Sequence, residues 1–360
     1  MLSSPSRPKF RLLWLSVWVL ASGPACLPEA SRDPGARPEG SFLAVGDTGE
    51  PWGPLPSLLQ PQLAVGLALE RAHAARPADA LVLLGDNFYP DGLREDEVLA
   101  RVTENVARPY CAFVRPSPAL AEALVGACPP LEAEPPPLFA VVGNHDVRAD
   151  DGGRRQQRAV PPLVTNWEVP STGPPAVREL PGGLSLVFVL SEWPWDEAAT
   201  AALADALRSA RGPFRVIVGH RPPITGHPQL SRMVAEAARR AETIVHAYVS
   251  GHVHVLGAIR GETPGAPRLT VIAGAGSDPK RQTETEYRIE GEDFLDVHLG
   301  FVRFDAFGHA DDPTREATLR VTYYRAPSLP PLARRRDPEI TRRYSIGVGG
   351  DVSTETVSDR

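Results

Sequence analysis

The sequence predicts an α/β fold, and two features of the chain support this prediction. Short runs rich in Val, Ile, Leu and Phe, which are typical of buried strands, alternate with longer stretches that have helical periodicity. Several of these apolar runs end directly in Asp, Asn or His. Since α/β folds place their chemistry just beyond the carboxyl ends of strands, we expect a functional site there.

Predicted strands and helices follow one another along most of the chain. Apolar residues that alternate with polar ones from Leu319 to Tyr323 predict a further, half-exposed strand. The buried strands are predicted at residues 42–45, 81–84, 139–142, 186–190, 214–218, 244–249 and 269–273, and the helices at residues 62–76, 95–107, 196–210 and 230–241.

The chain divides into four predicted segments. Residues 1–26 are predicted to be a signal peptide, residues 27–40 a flexible tether, and residues 41–326 the folded domain. The Pro- and Arg-rich residues 327–360 are predicted to leave the core and to end loosely ordered.

Length and charge narrow the classes of function. The 360 residues suffice for one large catalytic domain or two small ones, and an apolar fraction of 42% allows a sizeable core. The net charge of -6 gives no basic footprint, so we expect no nucleic-acid partner. An anionic substrate would therefore need local positive charge, such as that of metal ions.

The N-terminus has the pattern of an export signal. A basic segment from Arg7 to Arg11 precedes an apolar run at residues 12–21, which is short for a membrane span. We therefore expect an exported protein, with an uncleaved anchor as the alternative. Cys26 follows Gly-Pro-Ala, which resembles a bacterial lipoprotein processing site. The resemblance implies a bacterial protein in the periplasm, the cell envelope or the medium, and a membrane tether through lipidated Cys26 stays open.

If Cys26 is lipidated, two of the three cysteines remain, Cys111 and Cys128. An even pair in an exported chain is a disulfide candidate, and two unpaired thiols are the alternative.

Five predicted strands each run into a residue type that binds metal ions, with a glycine just before it. Such a glycine permits a tight turn and a close approach of the backbone to a bound ion. One such strand end would mean little, whereas five in one chain point to a shared site. The blocks are Gly46-Asp47, Gly85-Asp86-Asn87-Phe88-Tyr89, Gly143-Asn144-His145-Asp146, Gly219-His220 and Gly251-His252-Val253-His254.

The donor types indicate the class of metal site. Carboxylates, an amide oxygen and a phenolate are hard oxygen ligands, imidazoles are borderline, and no thiol takes part. This set argues against a structural zinc or iron–sulfur site. If one carboxylate bridges, the donors suffice for two ions with four protein ligands each.

These blocks, in this order, resemble the calcineurin-like metallophosphoesterase family. The usual His two residues after the first Asp is replaced by Gly49, and Tyr89 follows Asp86 by three residues. That exchange resembles the purple acid phosphatases, and Gly-Asp-Asn-Phe-Tyr resembles their small, tartrate-resistant type. The resemblance implies a four-layer αββα sandwich with the active site at the strand ends, and it makes residues 41–326 the catalytic domain.

Carried over residue by residue, the resemblance implies two metal ions that share the Asp86 carboxylate. A ferric ion is expected on one side, and an Fe(II), Zn(II) or Mn(II) ion on the other. The implied ligands are Asp47, Asp86, Tyr89 and His254 for the ferric ion, and Asp86, Asn144, His220 and His252 for the divalent ion.

The implied activity is hydrolysis of phosphate monoesters by a metal-bound hydroxide at acid pH. His145 is the candidate general acid, oriented by Asp146, and His227 is a second candidate. The partner is then a small phosphorylated substrate, and we expect a monomer.

Alternatives stay open at this point. The same site could act on a phosphodiester or a pyrophosphate, or the chain could be a non-catalytic lipoprotein that binds metal or phosphate. Arg221, Arg232 and the segment Trp193-Pro194-Trp195 either line a substrate pocket or pack on the surface. The histidines outside the blocks are expected to be ordinary structural residues, namely His73, His246, His298 and His309.

Overall fold

Two β-sheets form the centre of the computed structural model, which describes residues 37–49, 60–131, 133–148, 153–192, 195–224, 226–280, 291–308 and 316–357. The strands are β1 (Gly40–Val45), β2 (Ala80–Leu83), β3 (Leu138–Ala140), β4 (Trp167–Glu168), β5 (Ala176–Leu180), β6 (Leu184–Phe188), β7 (Phe214–Val218), β8 (Ala247–Ser250), β9 (Leu256–Arg260), β10 (Leu269–Ala273), β11 (Glu292–Asp296), β12 (Gly300–Phe307), β13 (Thr318–Arg325), β14 (Glu339–Gly347) and β15 (Val352–Glu355).

One sheet has the strand order β15-β14-β13-β12-β1-β2-β3-β4, and the other has the order β11-β9-β10-β8-β7-β6-β5. Strands β1, β2, β3 and β4 run parallel to one another in the first sheet, and β6, β7 and β8 run parallel to one another in the second. The carboxyl ends of these strands therefore lie at one edge of each sheet.

The helices cover the outer faces of the sheets. Leu43 of β1 packs into a cluster with α1, whereas its neighbour Phe42 packs into the core between the sheets, as the alternation of a strand requires. Helices α5 and α6 pack on the second sheet through a third cluster. The αββα sandwich is thus confirmed. The helices are α1 (Pro61–Ala75), α2 (Val98–Val102), α3 (Pro118–Ala123), α4 (Arg154–Ala159), α5 (Glu197–Ser209), α6 (Pro228–Arg240) and α7 (Pro330–Ala333).

The predicted single helix over residues 95–107 is divided. A 3₁₀ turn at Glu95–Glu97 leads into α2, which continues as a π-helical turn at Thr103–Ala107. The Thr103 hydroxyl donates to the Leu99 carbonyl at 2.6 Å, and the Arg108 amide reaches back five residues to the Thr103 carbonyl. These contacts replace the regular hydrogen-bond pattern of an α-helix.

The prediction that the chain leaves the core after Pro327 is wrong. Strand β14 pairs with β13 along its length, β15 pairs with β14, and α7 packs beside α1. Tyr344 and Ile346 are fully buried in the core between the sheets. The Pro- and Arg-rich composition suggested a loose extension, but strand pairing and apolar burial keep the segment in the first sheet.

A disulfide joins Cys111 and Cys128, as predicted, with their Cα atoms 5.5 Å apart. The predicted signal peptide and Cys26 lie outside the described residues. Within the ranges that the structure describes, no helix has the length and apolar character needed to cross a membrane.

Candidate metal centre

The predicted metal ligands come together where the parallel strands of both sheets end. Asp47 and Asp86 follow β1 and β2 of the first sheet, and Asn144 follows β3. His220 and His252 follow β7 and β8 of the second sheet. The candidate centre therefore lies across the ends of the two sheets.

The backbone is constrained at several of these residues. Four described residues other than glycine have a positive φ, and three of them are predicted ligands: Asp47 at 56°, Asp86 at 52° and His252 at 68°. Non-glycine residues adopt this conformation at a cost in free energy, and they concentrate at functional sites.

A first group of donor atoms surrounds the Tyr89 hydroxyl. This oxygen lies 3.2 Å from Asp47 Oδ1, 3.0 Å from Asp86 Oδ2 and 3.1 Å from His254 Nε2. Since one hydroxyl can donate a single hydrogen bond, its proton cannot satisfy all three neighbours. The set matches the ligands predicted for the ferric ion.

A second group surrounds the Asn144 side-chain oxygen. Asn144 Oδ1 lies 3.0 Å from His220 Nε2 and 2.8 Å from His252 Nδ1. His220 Nε2 in turn lies 3.5 Å from Asp86 Oδ2, the same oxygen that faces Tyr89. Donors bonded to one ion at about 2.0–2.2 Å also stand roughly 3 Å apart. Asp86 Oδ2 therefore lies between the two donor groups, where a bridging ligand would be needed.

Each carboxylate is held by a backbone amide through its other oxygen. The His252 amide donates to Asp47 Oδ2 at 2.8 Å, and the His145 amide donates to Asp86 Oδ1 at 2.8 Å. One oxygen of Asp47 and one of Asp86 thus remain directed at the donor groups.

Backbone carbonyls orient two of the imidazoles. His220 Nδ1 lies 2.8 Å from the Leu84 carbonyl, and His254 Nδ1 lies 2.9 Å from the Asp278 carbonyl. If each Nδ1–H donates to its carbonyl, Nε2 of a neutral ring carries a lone pair directed into the centre. In that state His220 Nε2 and Asn144 Oδ1 are two acceptors in contact, which a cation between them would satisfy.

Close to Asp47 and Asp86, the electrostatic environment favours positive charge. Burial lowers the pKa of His254, but the Asp47 charge and hydrogen bond raise it to about 9 overall. Burial likewise lowers the pKa of His220, and the nearby carboxylates, Asp86 first, reverse this to a net increase. Burial and the charges of Asp47 and Asp86 raise the Tyr89 pKa far above its usual range. The residues present therefore fit a centre that holds cations.

The glycines before the ligands leave the space that the sequence predicts. A Cβ atom at Gly143 would lie 2.2 Å from Asp86 Oδ1, and one at Gly85 would lie 2.6 Å from His220 Nδ1. A side chain at either position would displace a predicted ligand.

His145 lies beside the first donor group, but its predicted orientation by Asp146 is wrong. The His145 ring packs against the Tyr89 ring, with 4.3 Å between centroids, and its Nδ1 lies 2.7 Å from the Pro90 carbonyl oxygen. The buried Asp146 carboxylate instead accepts hydrogen bonds from the amides of Asn87, Phe88 and Gly143. It therefore fixes the Asp86 loop rather than the imidazole.

His227 lies beside the second donor group. Its ring centroid is 5.4 Å from that of His252, and its Nε2 atom is buried with no hydrogen-bond partner among the described residues. Burial, with the charges of Arg221 and His220, lowers its pKa to about 4.

The sequence did not reveal how Arg221 is positioned beside the centre. Its Nη1 atom lies 2.8 Å from His252 Nε2, and its Nε atom donates to Glu192 at 2.9 Å. The Ser191 hydroxyl accepts hydrogen bonds from the amides of His220 and Arg221. In the sequence, Ser191 and Glu192 directly follow the predicted strand at residues 186–190, but their position alone predicts no contact with Arg221.

A family model for the calcineurin-like phosphoesterases matches residues 40–256. No curated protein matches the chain.

Several solved structures share the fold at low sequence identity. A yellow lupin purple acid phosphatase is 15% identical with a TM-score of 0.58, and the match covers 88% of this chain and 55% of that one. GAP50, described as the anchor in the inner membrane complex of Plasmodium, is 14% identical with a TM-score of 0.56, covering 80% and 85%. A structure of PhoD is 13% identical with a TM-score of 0.54, covering 91% and 73%.

Proposed function

The chain belongs to the calcineurin-like phosphoesterase family, and from this premise we propose that it hydrolyses phosphate monoesters at a dinuclear metal centre. The observation that carries the proposal is the position of Asp86, whose Oδ2 atom faces Tyr89 at 3.0 Å and His220 at 3.5 Å. One carboxylate oxygen thus belongs to both donor groups.

The chemistry that a metal pair supplies in such sites is to clamp the phosphoryl group and to activate a water molecule for attack. Asp47, Tyr89 and His254 would hold one ion, and Asn144, His220 and His252 the other, with Asp86 shared. We propose Fe(III) on the Tyr89 side, because a phenolate is a hard, anionic ligand, and Fe(II), Zn(II) or Mn(II) on the Asn144 side. A ferric ion would also support activity at acid pH.

We propose that His145 protonates the leaving group. The Pro90 carbonyl oxygen accepts the Nδ1 proton at 2.7 Å, so Nε2 is the atom that carries the transferable proton. The Pro90 carbonyl thus orients the His145 ring without a carboxylate partner. This agrees with the Asp146 carboxylate, which is bonded to backbone amides such as that of Gly143.

We also propose that the protein is exported. The Cys111–Cys128 disulfide supports an oxidising compartment, in agreement with the predicted signal peptide. A monomeric state and a lipid on Cys26 stay predictions.

The test is metal analysis of protein purified without chelators, combined with a visible spectrum and activity assays. We expect two ions per chain, a phenolate-to-iron absorption band, and faster hydrolysis of p-nitrophenyl phosphate than of its diester. Tyr89→Phe should abolish the band, because it removes the phenolate oxygen. The control Tyr324→Phe, on a tyrosine that stacks on Phe301, should retain it.

Three results would contradict parts of the proposal. A band that persists in Tyr89→Phe would exclude Tyr89 as a ligand. Faster turnover of the diester would indicate a phosphodiesterase, and full metal loading with no turnover of either ester would indicate a binding protein.

A further inference from the structure

A cavity of about 300 Å³ opens beside the candidate metal centre. Its walls include Arg221 and His227, and both also contact His252: the Arg221 Nη1 atom lies 2.8 Å from His252 Nε2, and the His227 ring centroid lies 5.4 Å from the His252 ring. The cavity and the centre therefore share a wall. A volume of about 300 Å³ is at the lower end for small-molecule sites, which suits a compact group.

The cavity is positively charged although the chain as a whole has a net charge of -6. Arg221 and Arg232 both line it. Arg221 is ion-paired with Glu192 at 2.9 Å, so its charge is partly neutralised. Arg232 is exposed on α6, and no described acidic residue forms an ion pair with it. The charge that Arg232 contributes is therefore available to a ligand.

The remaining walls offer flat and apolar surface. Trp195 lines the cavity and packs against the cluster beneath α5 and α6, which holds its indole in place. Leu230 also lines the cavity and is anchored in the same cluster. An indole ring favours contact with a planar group, and a guanidinium group binds carboxylates and phosphates through charge-assisted hydrogen bonds.

We infer that this cavity is the leaving-group subsite, and that it selects phosphate monoesters whose compact, planar leaving group carries a second anionic group. The inference rests on the proposed function, because the scissile phosphate must lie at the metal centre. The leaving group would then extend past His227 and Arg221 towards Trp195 and Arg232.

Calorimetry measures how tightly three non-hydrolysable probes bind to the full, metal-loaded chain. The probes are phenylphosphonate, 4-carboxyphenylphosphonate and benzene-1,4-diphosphonate. We expect the two probes with a second anion to bind about 5- to 10-fold more tightly than phenylphosphonate, and the tighter of the two identifies the preferred anion. Arg232→Gln should reduce this preference to about 2-fold or less.

Arg239→Gln is the matched control. It removes the same charge from the same helix, but Arg239 lies outside the cavity and is paired with Glu236. The control should keep the full preference, and equal melting temperatures of the two variants would exclude a folding defect.

The outcomes separate this inference from the proposed function. Equal binding of all three probes, no binding of any, or a preference that survives Arg232→Gln would overturn the subsite. Hydrolysis of phenyl phosphate with no preference among the probes would leave the proposed function intact and overturn the subsite alone. A preference that Arg232→Gln removes, in a protein that hydrolyses neither phenyl phosphate nor its 4-carboxy analogue, would support the subsite and overturn the catalytic proposal.

Discussion

At the scale of single residues, Gly49 allows the loop after β1 to pack directly against the loop that carries the candidate metal ligands Asp86 and Tyr89. The Gly49 amide donates to the Asp86 carbonyl at 3.0 Å, and the Gly49 carbonyl accepts from the Tyr89 amide at 3.1 Å. The Asn105 side chain donates to the same carbonyl at 2.7 Å. The loop after β1 is thus bonded directly to the loop that carries Asp86 and Tyr89, and these contacts leave no space for a side chain at Gly49.

We predict that Gly49→Ala lowers both metal content and stability. The added Cβ atom would lie 2.2 Å from the Asn87 carbonyl carbon, so backbone atoms of the Asp86–Tyr89 loop would have to move. Overpacking of this kind costs about 1–3 kcal/mol in the free energy of unfolding. Metal analysis and denaturant unfolding measure the two effects.

Gly173→Ala is the control for this variant, because a Cβ atom there meets no other atom within 4 Å. If Gly49→Ala bound both ions and unfolded like the parent protein, the close contact between the two loops would be of no consequence.

The position of His145 leads to a second prediction at this scale. His145→Ala should reduce kcat for phenyl phosphate about 10²- to 10⁴-fold, and reduce it much less for p-nitrophenyl phosphate, whose leaving group needs little protonation. His298→Ala, on an exposed histidine outside the centre, is the control. Equal losses for both esters would argue against a general acid.

At the scale of elements, β14 and β15 extend the sheet that carries Asp47 and Asp86. The sequence contained a signal for β14, because Ile340, Arg342, Tyr344 and Ile346 follow a period of two with apolar residues at most positions. The Pro-rich residues before β14 led instead to the prediction of an extension outside the core. Pairing with β13 depends on contacts between distant parts of the chain, which local composition does not predict.

We predict that Tyr344→Ala destabilises the protein by about 3–5 kcal/mol, as truncations of large buried aromatic residues do. Tyr344 is fully buried, packs against Tyr323 with 6.1 Å between ring centroids, and donates to Asp293 at 2.6 Å. Val348→Ala is the control, because Val348 is 43% exposed in the following turn. Urea unfolding measures the free energy of unfolding of both variants. A decrease below about 1 kcal/mol in Tyr344→Ala would indicate that the C-terminal segment contributes little to the core, as a loose extension would.

At the scale of the whole molecule, the strand ends were predictable and the contacts across the centre were not. The blocks that follow β1, β2, β3, β7 and β8 could be located because buried parallel strands are short apolar runs with distinct ends. The contact between Arg221 and His252, and the inward position of Asp146, depend on how the two sheets pack. A single sequence contains no local pattern for such contacts.

The same dependence on packing gives His246 a role that links the second sheet to the C-terminal hairpin. Its Nδ1 atom accepts from the Arg215 amide at 3.1 Å, and its Nε2 atom donates to the Val348 carbonyl at 3.0 Å. The neutral ring satisfies both contacts, whereas a proton on Nδ1 would face the Arg215 N–H. Burial first, and then the charges of Arg215 and Arg268, lower the His246 pKa from 6.5 to about 4.

This shift predicts that the fold loses stability in acid. Because the unfolded chain binds the proton more readily, the contribution of neutral His246 is complete above pH 6.5 and declines as the pH falls towards 4. Between pH 7 and pH 4.5 the loss should be about 2 to 3 kcal/mol. His246→Gln cannot titrate, so its free energy of unfolding should fall less over this range in urea titrations. An identical decline in the variant would exclude His246 as the source. A shallower decline would show that this buried contact contributes to the loss of stability in acid, the pH range that the proposed chemistry favours.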